Sequence, residues 1–119
     1  MSILKIAKIG HPVLLKKSEP VKKIQKEELK RLIVDMTHTL LDANGIGLAA
    51  PQVHINKRII LFRSQSINDE ENNKKKIEIT PLINPSYTNN SDEFEDDWEG
   101  CLSIPGMLGK VRRFKKITY

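Results

Sequence analysis

The chain of 119 residues has the length of one domain, and its 39% hydrophobic and 29% charged residues argue against wholesale disorder. The net charge of +5 permits only weak attraction to polyanions, and no apolar run reaches the roughly 20 residues that cross a bilayer. Cys101 is the single cysteine, which excludes an intrachain disulfide. Together with the lack of an uninterrupted signal core, it predicts a cytoplasmic location, with an organelle left open.

An irregular arm and one amphipathic helix are predicted in the first part of the chain. Gly10-His11-Pro12 is typical of a turn, so residues 1–23 are expected to be irregular. A helix is predicted from about Gln25 to Ala43, and Asn44-Gly45 is expected to close it with a left-handed turn. The apolar residues that recur at helical spacing on one face are Leu29, Leu32, Ile33, Met36 and Leu40.

Short strands are predicted after the helix. Arg58 to Phe62 is an apolar run and Ile77 to Asn84 alternates, which favours a strand in each case. Ser64 to Lys76 is polar without periodicity and predicts a mobile loop between them. Further along, a turn is predicted at Pro105-Gly106 and another strand over Val111 to Tyr119, inside which the sequence stops.

An acidic cluster is followed by a basic cluster. The acidic residues are Asp92, Glu93, Glu95, Asp96, Asp97 and Glu99, and the basic ones are Lys110, Arg112, Arg113, Lys115 and Lys116. Two such segments pair their charges when they fold against each other. We therefore expect no specific nucleic-acid partner and, without an apolar span, no membrane partner.

The segment Gly45-Ile46-Gly47-Leu48-Ala49-Ala50-Pro51-Gln52 follows the predicted helix directly. Its small residues leave the backbone uncovered, so an extended ligand can pair with it as an added strand. The amide of Gln52 offers donors and an acceptor at the end of that edge. The segment is not a phosphate loop, because no Lys-Ser/Thr pair ends it. A helix cap followed by close packing explains the same residues without any ligand.

A second segment, Glu99-Gly100-Cys101-Leu102-Ser103, surrounds the cysteine. A lone cysteine is most often a small buried hydrophobic residue. Here a glycine precedes it and a strand-forming run follows, so its thiolate can face a cleft beside backbone N–H groups. Such an environment suits a metal ligand or a nucleophile. The residues alone leave these three interpretations open.

Together and in this order, the two segments resemble the polypeptide deformylase family. That family carries Gly-Φ-Gly-Φ-Ala-Ala-x-Gln (Φ is hydrophobic) and then Glu-Gly-Cys-Φ-Ser, and the sequence matches both at every fixed position. Ile9-Gly10-His11-Pro12 and Leu82-Ile83-Asn84-Pro85 are also similar to family segments. The resemblance covers nearly the whole chain.

The resemblance implies a hydrolase that removes formyl from the N-terminal formyl-methionine of nascent proteins, using Fe²⁺ that Zn²⁺ or Ni²⁺ can replace. It implies that Cys101 is a metal ligand, and that the Leu102 N–H and the Gln52 amide stabilise the oxyanion. The residues implied to bind the formyl-Met peptide or nascent chain are Gly45, Ile46, Gly47, Glu99 and Gly100. The implied fold is α+β, with short, mainly antiparallel strands packed on helices.

The family's third motif, a helix with Gln-His-Glu-x-Asp-His, is absent from this sequence. The only histidines are His11, His38 and His54; none has an i, i+4 partner, and His38 is predicted to face solvent. We therefore expect a single, incomplete domain over residues 1–119, truncated before that helix and catalytically incompetent.

No metal is expected to bind this chain stably, because one thiolate is too few ligands. A sheet face left uncovered by the missing helix predicts poor solubility or self-association. A complementary C-terminal fragment is an expected partner. The alternative is a noncatalytic deformylase-like module that binds peptides or proteins.

Overall fold

The computed structural model describes residues 2–66 and 76–119. Residues 67–75, the middle of the loop predicted over Ser64 to Lys76, lie outside the described residues. Ser64 and Lys76, the two ends of that predicted loop, belong to strands. The elements in chain order are a 3₁₀ helix at Pro12–Leu14, α1 (Lys26–Asp42), β1 (Gly47–Ala49), a 3₁₀ helix at Ala50–Val53, β2 (Ile59–Ser66), β3 (Lys76–Ile83), β4 (Thr88–Asn89), β5 (Phe94–Cys101), β6 (Ile104–Phe114) and β7 (Ile117–Thr118). Within the described ranges, no helix is long and apolar enough to cross a membrane.

The helix α1 agrees with the prediction to within one residue at each end. Asn44 has φ 52°, and the N–H of Gly45 donates to the carbonyl of Leu40 while that of Asn44 donates to Leu41. This is a Schellman closure, so the predicted left-handed end is confirmed, with Asn44 rather than Gly45 in the left-handed conformation. His38 is half-buried and lines a cavity with Ser2 and Ile3, so it is less exposed than the helix period alone suggests. The N-terminal arm lies beside His38 and reduces its exposure, and the helix period gives no information about this arm.

The core lies between α1 and one face of an antiparallel sheet of order β1-β2-β3. Alternation along β2 turns Ile59 and Leu61 toward the helix, where they are 0% and 1% exposed. They form one buried cluster with Met36, Leu40, Leu48, Ala50 and Val53. Helix and sheet together make the α+β fold that the sequence predicts.

The opposite face of the same sheet is less covered. Ile60, Phe62 and Leu82 line a cavity of about 480 Å³ there, together with the exposed side chains of Tyr87 and Tyr119. The prediction of poor solubility depends on this face and stays a prediction.

The strands β5 and β6 form a separate antiparallel ribbon. The turn predicted at Pro105-Gly106 is wrong, because the chain reverses at Leu102-Ser103, between the paired residues Cys101 and Ile104. Pro105 and Gly106 lie in β6, where the register shifts after Gly100. A bulge of this kind accommodates the positive φ of Gly106, 77°, inside a strand.

The predicted pairing of the acidic and basic clusters is confirmed by this ribbon. Asp96 and Glu99 accept from Arg112 and Arg113 at 2.8 and 2.7 Å, and Glu93 lies 3.8 Å from Lys115. The strand predicted over Val111 to Tyr119 is divided: β6 ends at Phe114, and β7 pairs with β4 instead.

Candidate active site

A cavity of about 810 Å³ separates the end of α1 from the β5–β6 ribbon. It is the place where the two segments singled out from the sequence meet. Its lining residues are Ile6, Lys8, Ala43, Asn44, Gly45, Ile46, Gly47, Gln52, Gly100, Cys101, Leu102, Ile104, Pro105, Gly106, Met107 and Leu108.

The amide of Gln52 is held in one orientation by three hydrogen bonds. Its Oε1 accepts from the backbone N–H of Ala49 at 3.0 Å. Its Nε2 donates to Ser103 Oγ at 3.1 Å and to Cys101 Sγ at 3.6 Å. Because the oxygen is fixed by the backbone of its own 3₁₀ turn, the NH₂ group is directed at the Cys101 turn.

Cys101 carries an exposed free thiol at the end of β5. The next residue, Leu102, begins the turn, and its side chain is half-buried against the core cluster. The buried alternative for Cys101 is therefore wrong, because the irregular pairing after Gly100 turns this position outward into the cavity.

The two segments also pack closely at Gly45. A Cβ built on Gly45 would lie 2.9 Å from Leu102 Cδ1 and 3.0 Å from Leu40 Cδ1. Gly45, two residues after the C-cap Ala43, is therefore glycine for steric reasons, and its absent side chain lets the Leu102 turn approach α1.

The strand β1 presents a free backbone edge to the cavity. It lies at the margin of its sheet, and the N–H of Arg63 donates to the carbonyl of Ile46 at 2.8 Å. In an antiparallel ladder the next pair, Gly47 with Phe62, is then a non-hydrogen-bonded pair. The N–H and C=O of Gly47 consequently point away from β2, where an extended ligand can pair with them.

Glu99 is outside the lining of this cavity, whereas Gly100 is part of it. The carboxylate of Glu99 is engaged at both oxygens by Arg113, at 2.7 and 2.9 Å. These hydrogen bonds from Arg113, helped by its charge, lower the pKa of Glu99 below its usual range. Glu99 thus holds β5 to β6 beside the cavity.

Three residues of the N-terminal arm, which the sequence left unassigned, join the two segments. The backbone N–H groups of Ala7 and Ile9 donate to the carbonyls of Gln52 and Ser103 at 2.7 and 2.8 Å. Between them, Lys8 Nζ donates to the carbonyl of Leu102 at 3.1 Å. No sequence pattern indicates such contacts, because they join the arm to turns far along the chain.

The histidines do not gather around the cysteine. His11 and His54 contact each other with ring centroids 4.6 Å apart, and His38 lies beside the arm, so none of the three lines the cavity. Among residues 2–66 and 76–119, no group of three or more His, Cys, Asp or Glu side chains is arranged to hold a metal ion.

The family that the two segments indicate is also the one that the comparison with known families finds. The family model described as polypeptide deformylase matches residues 3–119. The chain belongs to the polypeptide deformylase family. Peptide deformylase 1 of Bordetella pertussis is 42% identical over 114 residues, which cover 96% of this chain and 64% of that protein. The chain therefore spans slightly less than two thirds of the length of this relative.

Solved deformylase structures have the same fold. The Thermotoga maritima peptide deformylase superposes with a TM-score of 0.82 at 35% identity, covering 100% of this chain and 74% of that one. The Acinetobacter baumannii class I type b enzyme with bound Met-Ala-Ser gives a TM-score of 0.82 at 33% identity, covering 100% and 77%. These identities establish that the fold is that of a deformylase.

The divalent metal of this metalloenzyme family fits the described residues only in part. The exposed thiol of Cys101 is a suitable ligand. A catalytic centre takes about three protein ligands, and the described residues bring no second one to the cavity. The described residues alone therefore do not form a catalytic metal centre.

Proposed function

We propose that this chain carries the peptide-binding and oxyanion-stabilising part of a deformylase site, which removes formyl from N-terminal formyl-methionine. The observation that carries the proposal is the Gln52 amide, whose oxygen is fixed by Ala49 and whose nitrogen lies 3.6 Å from Cys101 Sγ. This orientation directs the amide N–H donors of Gln52 at the Cys101 turn, where an oxyanion would form. We further propose that residues 1–119 belong to a single domain and that the protein works in the cytoplasm.

The proposed substrate lies along the edge of β1. The outward N–H and C=O of Gly47, with neighbours Gly45 and Ile46 in the cavity wall, suit an added peptide strand. A relative of the same fold binds the tripeptide Met-Ala-Ser. The methionine side chain would occupy the apolar part of the cavity, of which Gly100 and Leu102 are part.

Two donors are proposed to stabilise the oxyanion that forms when the formyl carbon is attacked. One is the Nε2–H of Gln52 that contacts Cys101 Sγ at 3.6 Å, which the oxyanion would take over while the other N–H stays on Ser103. The second is the backbone N–H of Leu102, which follows Cys101. Donors that are held in place before the reaction stabilise developing charge without reorganisation. The hydrogen bond from Lys8 to the Leu102 carbonyl and that from Gln52 to Ser103 restrain this turn.

We also propose that residues 1–119 alone do not complete the metal centre. Cys101 would supply one ligand to a divalent metal, Fe²⁺ or in its place Zn²⁺ or Ni²⁺. The remaining ligands and the general base would come from a complementary segment with the family's His-Glu-x-x-His helix. The 119-residue chain is then expected to retain no stoichiometric metal and not to hydrolyse formyl-Met peptides.

The test combines elemental analysis, peptide binding and turnover. Purified 119-residue chain is equilibrated with Fe²⁺, Ni²⁺ or Zn²⁺, and its metal content and its deformylation of formyl-Met-Ala-Ser are measured. The same peptide is titrated into ¹⁵N-labelled chain; we expect shifts of the Ile46, Gly47 and Gln52 signals. Adding the complementary segment should restore turnover, which Cys101→Ser should abolish.

Each result discriminates between interpretations. One metal per chain with turnover would contradict the incompetence of the 119-residue chain. Absence of peptide-induced shifts at Gly47 and Gln52, in a chain shown to be folded, would contradict the proposed peptide site. In the reconstituted enzyme, Gln52→Leu should lower kcat more than it raises KM, because the oxyanion forms only in the transition state.

A further inference from the structure

The proposed function uses the hydrogen bond of Lys8 to the Leu102 carbonyl but not the positive charge that Lys8 brings to the cavity. Its backbone neighbours are fixed on both sides, since Ala7 N–H donates to Gln52 O and Ile9 N–H donates to Ser103 O. Its ammonium reaches the wall of the cavity and donates to the carbonyl of Leu102 at 3.1 Å. The charge is therefore tethered beside the Cys101 turn by backbone and side chain together.

Among the described residues that line the cavity, Lys8 alone carries a formal charge at neutral pH. The rest of the lining consists of apolar side chains, glycines, two amides and the thiol of Cys101, and it includes no Asp or Glu of the described residues. The nearby carboxylate of Glu99 is outside the lining and is neutralised by Arg113. The cavity consequently presents an uncompensated positive charge to whatever enters it.

The ammonium of Lys8 also has donors left for a ligand. A lysine carries three N–H donors, and the structure assigns one of them to the Leu102 carbonyl. A carboxylate that accepts from the others forms a charge-assisted hydrogen bond, which is shorter and stronger than a neutral one. A basic side chain in the same position is repelled.

We propose that Lys8 makes this cavity prefer peptides with a carboxylate close to the formyl-methionine. This inference rests on the proposed function, because it takes the Cys101 turn as the place where the formyl end lies. Lys8 donates a hydrogen bond to Leu102, the residue next to Cys101. A peptide carboxylate that reaches Lys8 must therefore lie close to the formyl end of the peptide. Two sources have this chemistry: an Asp or Glu side chain at the second residue, and the terminal carboxylate of a dipeptide.

The test measures Kd for the 119-residue chain with C-terminally amidated peptides that differ only at the second residue. In formyl-Met-X-Ala-amide, X is Asp, Asn or Lys. We expect Asp to bind about fivefold tighter than its neutral isostere Asn, as for an exposed ion pair of about 1 kcal/mol, and Lys to bind weakest. The terminal carboxylate as the source is tested by comparing Kd for formyl-Met-Ala with a free C-terminus and with an amidated one. Because the ammonium is exposed, the preference should shrink as salt is raised.

Variants assign the preference to this side chain. Lys8→Met should equalise Asp and Asn, Lys8→Glu should reverse the order of Asp and Lys, and Lys8→Arg should keep the wild-type order. Lys5→Met is the matched control, because Lys5 is an exposed lysine of the same arm outside the cavity lining. Thermal unfolding of each variant checks that it is folded.

The outcomes separate this inference from the proposed function. The role of Lys8 would be overturned, and the peptide site left intact, by either of two results. One is an equal Kd for the Asp and Asn peptides, and the other is a preference for Asp that remains in Lys8→Met. If none of the peptides binds the folded chain, both the peptide site and the charge preference are refuted.

Discussion

The amide nitrogen of Gln52 lies 3.6 Å from the sulfur of Cys101, although 49 residues separate them along the chain. The contact joins the 3₁₀ turn behind α1 to the end of β5. It depends on the Gln52 oxygen, which accepts from Ala49, and on Ser103, which is only 3% exposed and accepts from the same amide. This side chain thus joins the two segments that match the family's motifs.

Replacing Gln52 by leucine should destabilise the chain. The substitution leaves the Ala49 N–H and the buried Ser103 hydroxyl without their partners, and an unsatisfied buried group costs about 1–3 kcal/mol. We expect a loss of about that size in the free energy of urea unfolding. Gln25→Leu is the matched control, because Gln25 makes no side-chain bond at the N-cap of α1. Equal losses for the two variants would contradict the anchoring role of Gln52.

Adding one methyl group at Gly45 should also destabilise the chain. The new Cβ would lie 2.9 Å from Leu102 and 3.0 Å from Leu40, which is 0% exposed and cannot move freely. Overpacking of this kind costs about 1–3 kcal/mol. Gly109→Ala is the control, since nothing lies within 4 Å of the position of its Cβ.

The clash at Gly45 has a second consequence that a double-mutant cycle measures. In a Leu102→Ala background, the added cost of Gly45→Ala should be smaller, because one of the two clashing side chains is gone. Additive losses would mean that the strain at Gly45 comes from elsewhere.

Periodicity and cap residues were enough to predict α1 and its end. Five apolar positions and Asn44-Gly45 specify a helix and its closure locally, and the structure places Met36 and Leu40 in the core as expected. The family pattern likewise predicted which segments meet, because it includes both Gln52 and Cys101. These features are encoded within short stretches of sequence.

Features that depend on distant contacts could not be predicted from the sequence in this way. Pro105-Gly106 has the composition of a turn, yet β6 continues through it because the chain has already reversed at Leu102-Ser103. Lys8 has no local pattern at all, and its partner is 94 residues away. The exposure of His38 was overestimated for the same reason, since the arm beside it belongs to another part of the chain.

The hydroxyl of Thr39 should hold the N-terminal arm on α1. Thr39 is 1% exposed, and its Oγ1 donates to Asp35 O and accepts from the N–H of Leu4 at 2.8 Å. Thr39→Val removes the acceptor, so the Leu4 amide should lose protection from hydrogen exchange and stability should fall by about 1–3 kcal/mol. Thr37→Val is the control, because Thr37 makes the same helix bond to Ile33 and accepts nothing from the described part of the arm. A Leu4 amide that stays protected in Thr39→Val would rule out this anchor.

The pair Glu99 and Arg113 beside the cavity should make the stability of the chain depend on pH. Hydrogen bonds from Arg113 lower the pKa of Glu99 below its value in the unfolded chain, so the pair stabilises the folded state while the carboxylate is ionised. That contribution is fully present above the unfolded pKa of about 4.3 and is lost as the pH falls through the lowered folded pKa. Arg113→Gln should therefore be less stable than the parent at neutral pH, and the two urea midpoints should converge in acid.

A reciprocal control on the same ribbon tests whether the lowered pKa of Glu99 is due to Arg113. Asp96 is held by Arg112 in the same way, and the hydrogen bond from Arg112 lowers its pKa. In ¹³C titrations of the carboxyl groups, Arg113→Gln should raise the pKa of Glu99 and leave the pKa of Asp96 unchanged. Arg112→Gln should raise the pKa of Asp96 and leave that of Glu99 unchanged. If both carboxyl groups respond equally to either variant, the shifts arise from the general charge of the ribbon and not from the individual pairs. Glu99 would then not be held by Arg113 in solution, and its carboxylate would be free to turn toward the cavity.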